Sequence, residues 1–133
     1  MNEEKEKNNL IIHRVGLYRA AYELSRSGFS VQVDSYKPGA QMVVRRNKKD
    51  ISVMVRVLSG TSAVPFIKRE AGEAFDYLLI CTNVYSEDIS YYKLKRSDAE
   101  NVLDLETWKE GEEYRYIEFK DYQEFKADPL SFE

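Results

Sequence analysis

The stretch Gly39–Val57, GAQMVVRRNKKDISVMVRV, decides the fold. Its first part, QMVVR, has the composition of a short strand, and RNKKD that follows is a basic turn. From Ile51 onward the pattern has a period of two. Ile51, Val53, Val55 and Val57 share one face, and Ser52, Met54, Arg56 and Leu58 share the other. Met54 and Leu58 add apolar bulk to that second face. The strand is therefore expected to be covered on both sides, at the centre of a sheet between helices and not at its edge.

Outward from this hairpin the chain reads as an ordered series of elements. Residues 1–9 have the polar, mixed-charge composition of a flexible tail. From Leu10 to Ser27 the apolar residues follow a helical period: Ile11, Val15, Tyr18 and Tyr22, with Leu17, Ala20, Ala21 and Leu24 alongside. Gly28 is the expected C-terminal stop. FSVQV alternates as a strand, and Pro38-Gly39 punctuates a loop. Beyond the hairpin, SGTSAVP reads as a loop and FIKREAGEAF as a short helix broken at Gly72. DYLLICTNV is a buried strand and ISYYKL another. Ser97 and Glu100 spell a capping box ahead of a helix over Asp98–Leu105. YRYIEF is a final strand, and DYQEFKADPL a short helix or irregular tail. The predicted order is α-β-β-β-(α)-β-β-α-β. This is a single α/β domain over residues 10–133, a small mixed β-sheet flanked by helices, and not a doubly wound fold.

Composition narrows the class. Hydrophobic residues make up 43% of the 133 residues and charged residues 32%, enough for both a core and a polar surface. No apolar run approaches the roughly 20 residues of a membrane span. The first residues lack the apolar segment of a secretory signal. The single cysteine, Cys81, forms no internal disulfide, so a reducing, cytoplasmic setting is expected. The net charge of −3 hides a polarity along the chain. Lys37–Arg69 carries eight Lys/Arg against one acid, a balance of +7, and Asp98–Glu133 carries four against twelve, a balance of −8.

The sequence of elements GLYRAAYELSRSGFSVQV, GAQMVV, ISVMVRV, FDYLLI and ISYYKL resembles the PD-(D/E)XK nuclease-like superfamily, the restriction-endonuclease-like fold, across Val15–Phe125. In small members of that family, the first helix opens with Gly-Glu. The second strand carries Asp in a Gly-x-Asp context, and the third carries Glu or Gln, one residue, then Lys. The carboxylates hold Mg²⁺, and the lysine positions or activates water. On this chain Gly16 and Gly39 match, but Leu17 stands at the helix glutamate, Gln41 at the aspartate, Met54 at the Glu/Gln and Arg56 at the lysine. Leucine has no ligand atom, methionine offers a soft thioether, glutamine one neutral oxygen, and arginine stays protonated. The resemblance thus implies a degenerate member without catalytic residues, metal or cofactor.

Acids near the relevant elements (Glu23, Asp34, Asp50, Glu70, Glu73 and Asp76) are the candidates for a migrated metal site. No histidine or second cysteine accompanies His13 or Cys81 at zinc spacing, and Ser59–Ser62 lacks the lysine of a phosphate loop. The candidate nucleic-acid contacts are Arg45, Arg46, Lys48, Lys49, Arg56, Lys68 and Arg69. Arg56 could instead pair with Gln41, by a hydrogen bond, or with Asp34, by an ion pair, or face a phosphate. Tyr91, Tyr92, Tyr114 and Tyr116 sit in alternating strands, and Trp108 in a polar connection. The functional expectation is a catalytically inactive nuclease-like domain that binds DNA or RNA through its basic segment, with no membrane association. The alternatives are a protein-interaction or assembly module, such as a homodimer, contacting through its acidic third and tyrosines, and a metal-dependent nuclease with migrated acids.

Overall fold

A computed structural model describes residues 2–33, 40–68 and 74–132. Helix α1 spans Asn2–Arg26. Strands β1 (Ser30–Val33), β2 (Met42–Arg46) and β3 (Lys49–Val57) follow. Next come β4 (Val64–Ile67), β5 (Tyr77–Thr82), β6 (Ser90–Lys95) and α2 (Arg96–Leu103), then β7 (Tyr114–Ile117) and α3 (Phe119–Tyr122). A five-stranded sheet has the order β1-β2-β3-β5-β6, and β4 and β7 pair in a second, two-stranded sheet. The large sheet is mixed: β3 and β5 are parallel, and its other neighbours are antiparallel. The fold is α/β, and β3 is its central strand.

Alternation along β3 feeds two cores. Ile51, Val53 and Val55 pack with Leu17, Ala20 and Leu24 of α1 on one face of the sheet. Met54 packs on the other face with Val64 and Phe66 of β4, Ala99 and Leu103 of α2, Ile117 of β7 and Tyr122 of α3. The molecule is layered, with α1 on one side of the large sheet and α2, α3 and the small sheet on the other.

Helix α1 ends as its glycine predicts. Gly28 has φ +98, and its N–H donates to Ser25 O while Phe29 N–H donates to Leu24 O at 3.0 Å. This is a Schellman termination, with Phe29 and Leu24 meeting in the same core. The β2–β3 turn is a two-residue loop in which Asn47 and Lys48 both take positive φ, 55 and 66. That backbone matches the twist of the strands it joins.

Three expectations are corrected. Helix α1 begins at Asn2, ahead of the start expected at Leu10; the Glu/Lys run there has high helix propensity. Residues Val64–Ile67 form β4, where a loop and a short helix were expected, because Val64 and Phe66 bury inward and β7 supplies a pairing partner. Gly72 and the rest of that expected helix over 69–73 lie outside the described residues. Helix α2 starts at Arg96, with Lys95 as N-cap and no side-chain cap. Ser97 therefore lies inside the first turn, and Glu100 pairs with Arg96 Nε at 2.9 Å instead of reaching back to close a capping box.

Candidate functional site

The four degenerate positions do not share a cleft. Leu17 lies in the α1-side core, and Met54 in the core on the opposite face of the sheet. Both are fully buried apolar residues. Gln41 sits just before β2 and extends the ladder with its side chain. Its N–H donates to Val53 O at 3.1 Å, and its Oε1 accepts from Val55 N–H at 2.7 Å. The amide thus stands in for a backbone carbonyl where β2 has not yet begun. Arg56 is half-buried, with its guanidinium 6.0 Å from the centroid of Phe66. It donates to Val55 O at 3.0 Å and from Nε to Pro65 O at 3.4 Å. Its guanidinium thus reaches backbone carbonyls and a ring, while Gln41 Oε1 accepts from Val55 N–H.

The basic candidates separate into groups. Arg45, Arg46, Lys48 and Lys49 come together around the β2–β3 turn, all exposed. Arg45 faces Asp50 across the hairpin, Nε to Oδ1 at 3.1 Å, and Arg46 lies over the Phe29 ring at 5.1 Å. Arg56 is seven residues from Lys49 on the same strand, roughly 23 Å away at the usual rise. Lys68 follows β4 and donates its backbone N–H to Glu113 O. Arg69 lies outside the described residues, as do Asp34, Gly39, Glu70 and Glu73.

The described acids have structural partners. Asp76 Oδ2 accepts from Ser52 N–H at 2.8 Å while Asp76 N–H donates to Ser52 O at 2.8 Å, a reciprocal clasp between β3 and the start of β5. Asp50 pairs with Arg45, and Glu23 lies 3.9 Å from Arg26. Among the described residues no group of three or more His, Cys, Asp or Glu is placed to hold a metal ion. Trp108 anchors its connection: Nε1–H donates to Leu103 O at 2.7 Å, and the Arg115 guanidinium lies over the ring at 5.1 Å.

Two apolar surfaces were not distinguished by the sequence. The helical period of α1 contains two stripes. Leu17, Ala20 and Leu24 face the sheet, whereas Ile11, Tyr18 and Tyr22 stay 45%, 52% and 59% exposed. At 100° per residue the Ile11–Val15–Tyr18–Tyr22 stripe stands about 160° from the buried one, so it points away from the sheet. Its intervals of four, three and four residues are those of a coiled-coil seam. A shallow groove of about 720 Å³ runs along it, lined among the described residues by α1. Arg14 flanks the seam on one side; Arg19 and Arg26 flank it on the other. Arg19 also fixes the helix to the β5–β6 loop, donating to Val84 O at 2.8 Å and Ser86 O at 2.5 Å. The 4-3-4 spacing was the available signal. The small residues Gly16, Ala20 and Ala21 also marked the face able to approach a sheet closely.

The second surface is the outer side of the small sheet. Cross-strand register sets Pro65 opposite Tyr116 and Ile67 opposite Tyr114. All four are exposed, Tyr114 and Tyr116 by 57% and 58%. The two tyrosine rings meet edge to face at 5.7 Å. By contrast Tyr91 and Tyr92 are buried.

No family model, curated protein or solved structure matches this chain. No helix among the described residues is long and apolar enough to cross a membrane.

Proposed function

We propose that this chain is a non-catalytic binding domain that engages a protein partner through the outward seam of α1. One observation carries this reading: a helix already anchored to its own core presents a second apolar stripe, with coiled-coil spacing, on the opposite side. Exposed aromatic and β-branched side chains in such a row gain free energy when covered, about 25 cal/mol per Å² of apolar surface removed from water. The resemblance to nuclease-like domains enters through the scaffold. Leu17 and Met54 serve here as core and Gln41 as a ladder cap, while Arg56 reaches two backbone carbonyls and the Phe66 ring.

A photo-crosslinking amino acid at position 18 tests the reading. Irradiation of cells making the full chain should give protein adducts from position 18 and none from position 87, an exposed site off the seam. An equal adduct yield at both positions, or none at position 18, sinks it.

A second reading is favoured by the β2–β3 tip, where four basic side chains share one tight turn. We propose nucleic-acid backbone contact there, without sequence readout. Affinity for duplex or single-stranded DNA and for RNA should then fall linearly with salt on logarithmic axes. It should also drop when Arg46 and Lys48 are reversed to Glu. An absence of binding at low salt removes this reading.

A further inference from the structure

We propose that the α1 seam docks on the Pro65, Ile67, Tyr114 and Tyr116 face of a second copy of this chain, giving a head-to-tail assembly. This rests on the seam being a binding surface and adds the identity of its occupant.

Three features point to this occupant. Position comes first. Helix α1 packs on one face of the large sheet and the β4–β7 sheet on the other, with Leu17, Ala20 and Leu24 in one core and Val64, Phe66 and Ile117 in the other. The seam and the tyrosine face are therefore on opposite sides of the molecule, where one copy can meet the next without turning over. Charge comes second. Leu10–Arg26 carries three arginines against one glutamate, a balance of +2. Glu106–Glu124, which contains β7, carries seven acids against three bases, a balance of −4, and the exposed Lys68 beside Ile67 brings the rim to −3. Glu113 and Glu118 bracket the β7 tyrosines and are exposed. Basic flanks thus meet an acidic rim around two apolar centres, the arrangement that orients and selects a partner. The third feature weighs against the obvious rival. A two-fold pairing of seam with seam places arginine flanks against arginine flanks, Arg14 opposite Arg19 in the parallel register. Like charges at those positions disfavour that pairing, and the head-to-tail contact avoids it.

A contact between two different faces leaves one of each free at the ends. Assembly then continues until a ring closes or a filament grows. With about four large side chains on each side, the contact is smaller than a permanent interface, and exchange is expected to be rapid.

The test uses the full chain and two surface variants, I11D/Y18D on the seam and Y114S/Y116S on the small sheet. Circular dichroism and urea midpoints should confirm that both fold. In sedimentation velocity from micromolar to millimolar concentration, the wild type should climb in mass without levelling at a dimer. Each variant alone should stay monomeric, its association weakened about 30-fold or more, the size of a lost apolar anchor. An equimolar mixture of the two should stop at a dimer, because each chain supplies the face that the other lacks. A second pair, R14E/R26E and E113K/E118K, should likewise associate when mixed more than either does alone. Self-association of Y114S/Y116S, or a wild type that stays monomeric throughout, overturns the head-to-tail assignment. Adducts to other proteins at position 18 distinguish that outcome from failure of the seam as a binding surface.

Discussion

Substituting Gly16 by alanine places one methyl group at the closest approach of α1 to the sheet. A Cβ built on Gly16 would lie 2.4 Å from Val57 Cγ1, 2.5 Å from Cγ2 and 3.0 Å from Cβ. Carbon atoms in van der Waals contact sit about 3.5–4.0 Å apart, so the overlap is about 1 Å or more. Val57 cannot escape by rotating: only one of the three positions on its Cβ is hydrogen, so turning χ1 leaves at least one methyl in the overlap. The helix must lift from β3 or the strand must bend. Overpacking of this kind costs about 1–3 kcal/mol. Alanine in the middle of a helix returns about 1 kcal/mol relative to glycine. With a clash against two atoms of a short side chain, the upper half of the cost range applies, and the net is a destabilisation of about 1–2 kcal/mol. For a chain of this size that lowers Tm by about 4 °C per kcal/mol. The assay is urea denaturation followed by the fluorescence of Trp108, the single tryptophan and a buried one, and by circular dichroism. Val57→Ala alone should cost about 1 kcal/mol, since it removes two half-buried methyl groups. In the double variant the two methyl overlaps are gone and only the 3.0 Å approach to Val57 Cβ remains, so the two effects should fall short of their sum by about 2–3 kcal/mol. If G16A is as stable as the wild type and the cycle is additive, α1 does not approach β3 as described.

Gln41→Ala should cost about 1–2 kcal/mol by stranding the part-buried Val55 N–H, whereas Gln41→Glu keeps an acceptor and most of the stability; urea midpoints and hydrogen exchange of the Val55 amide check this. Burial pushes the Cys81 thiol up to about 12, against 9.0 when exposed, with Arg19 opposing weakly. The folded state thus holds its proton longer than the unfolded state, and the stability from the buried neutral thiol is complete below pH 9 and lost as pH rises toward 12. The slope approaches about 1.4 kcal/mol per pH unit. Cys81→Ala should flatten the urea midpoint against pH over that window. A residual slope from Tyr91 is expected, since burial first, and then Cys81, also raise its hydroxyl. The Arg115 side chain and the Lys109 N–H hold the Glu112 carboxyl down at about 2, against 4.5 when free. The folded state favours its charged form, so that contribution is present above pH 4.5 and is lost as pH falls toward 2. Carboxyl NMR should place the midpoint near 2 in the wild type and return it toward 4.5 in Arg115→Gln.

Period-two patterning made the large sheet legible. The alternation of β3 separated Ile51, Val53 and Val55 from Met54, and the structure places these sets in separate cores. Gly28 marked a helix end because only a residue without Cβ enters φ +98 at little strain. The small sheet was hidden for two reasons. Pro65 argues against a strand in local reading, yet it is tolerated because its side faces outward on a strand with a single partner. That partner, β7, lies 53 residues further on, from Val64 to Ile117, beyond the reach of any local pattern. On α1 both apolar stripes have the helical period, so hydropathy alone does not say which faces the sheet. The decision is made by size: only the side bearing Gly16 and Ala20 lets the backbone come close to Val57. The capping box failed because β6 continues through Lys95 and the helix follows at once, leaving Ser97 no room to act as a cap. Spacing along β3 gives the face of Met54, but nothing in the spacing says on which face α1 packs, and the helix brings Leu17 to the opposite one.

The β4–β7 pairing also fixes an order of events during synthesis. The β1–β2–β3 meander contains only near-neighbour contacts and can form as soon as its residues leave the ribosome. Val64 and Phe66 gain their strand partner only when Tyr114–Ile117 has been made. Until then Val64 and Phe66 lack the cover of Ile117 and the edge of β4 is open, the kind of intermediate that chaperones intercept. A ribosome-stalled chain ending before β7 should therefore be the form of this protein most prone to aggregate.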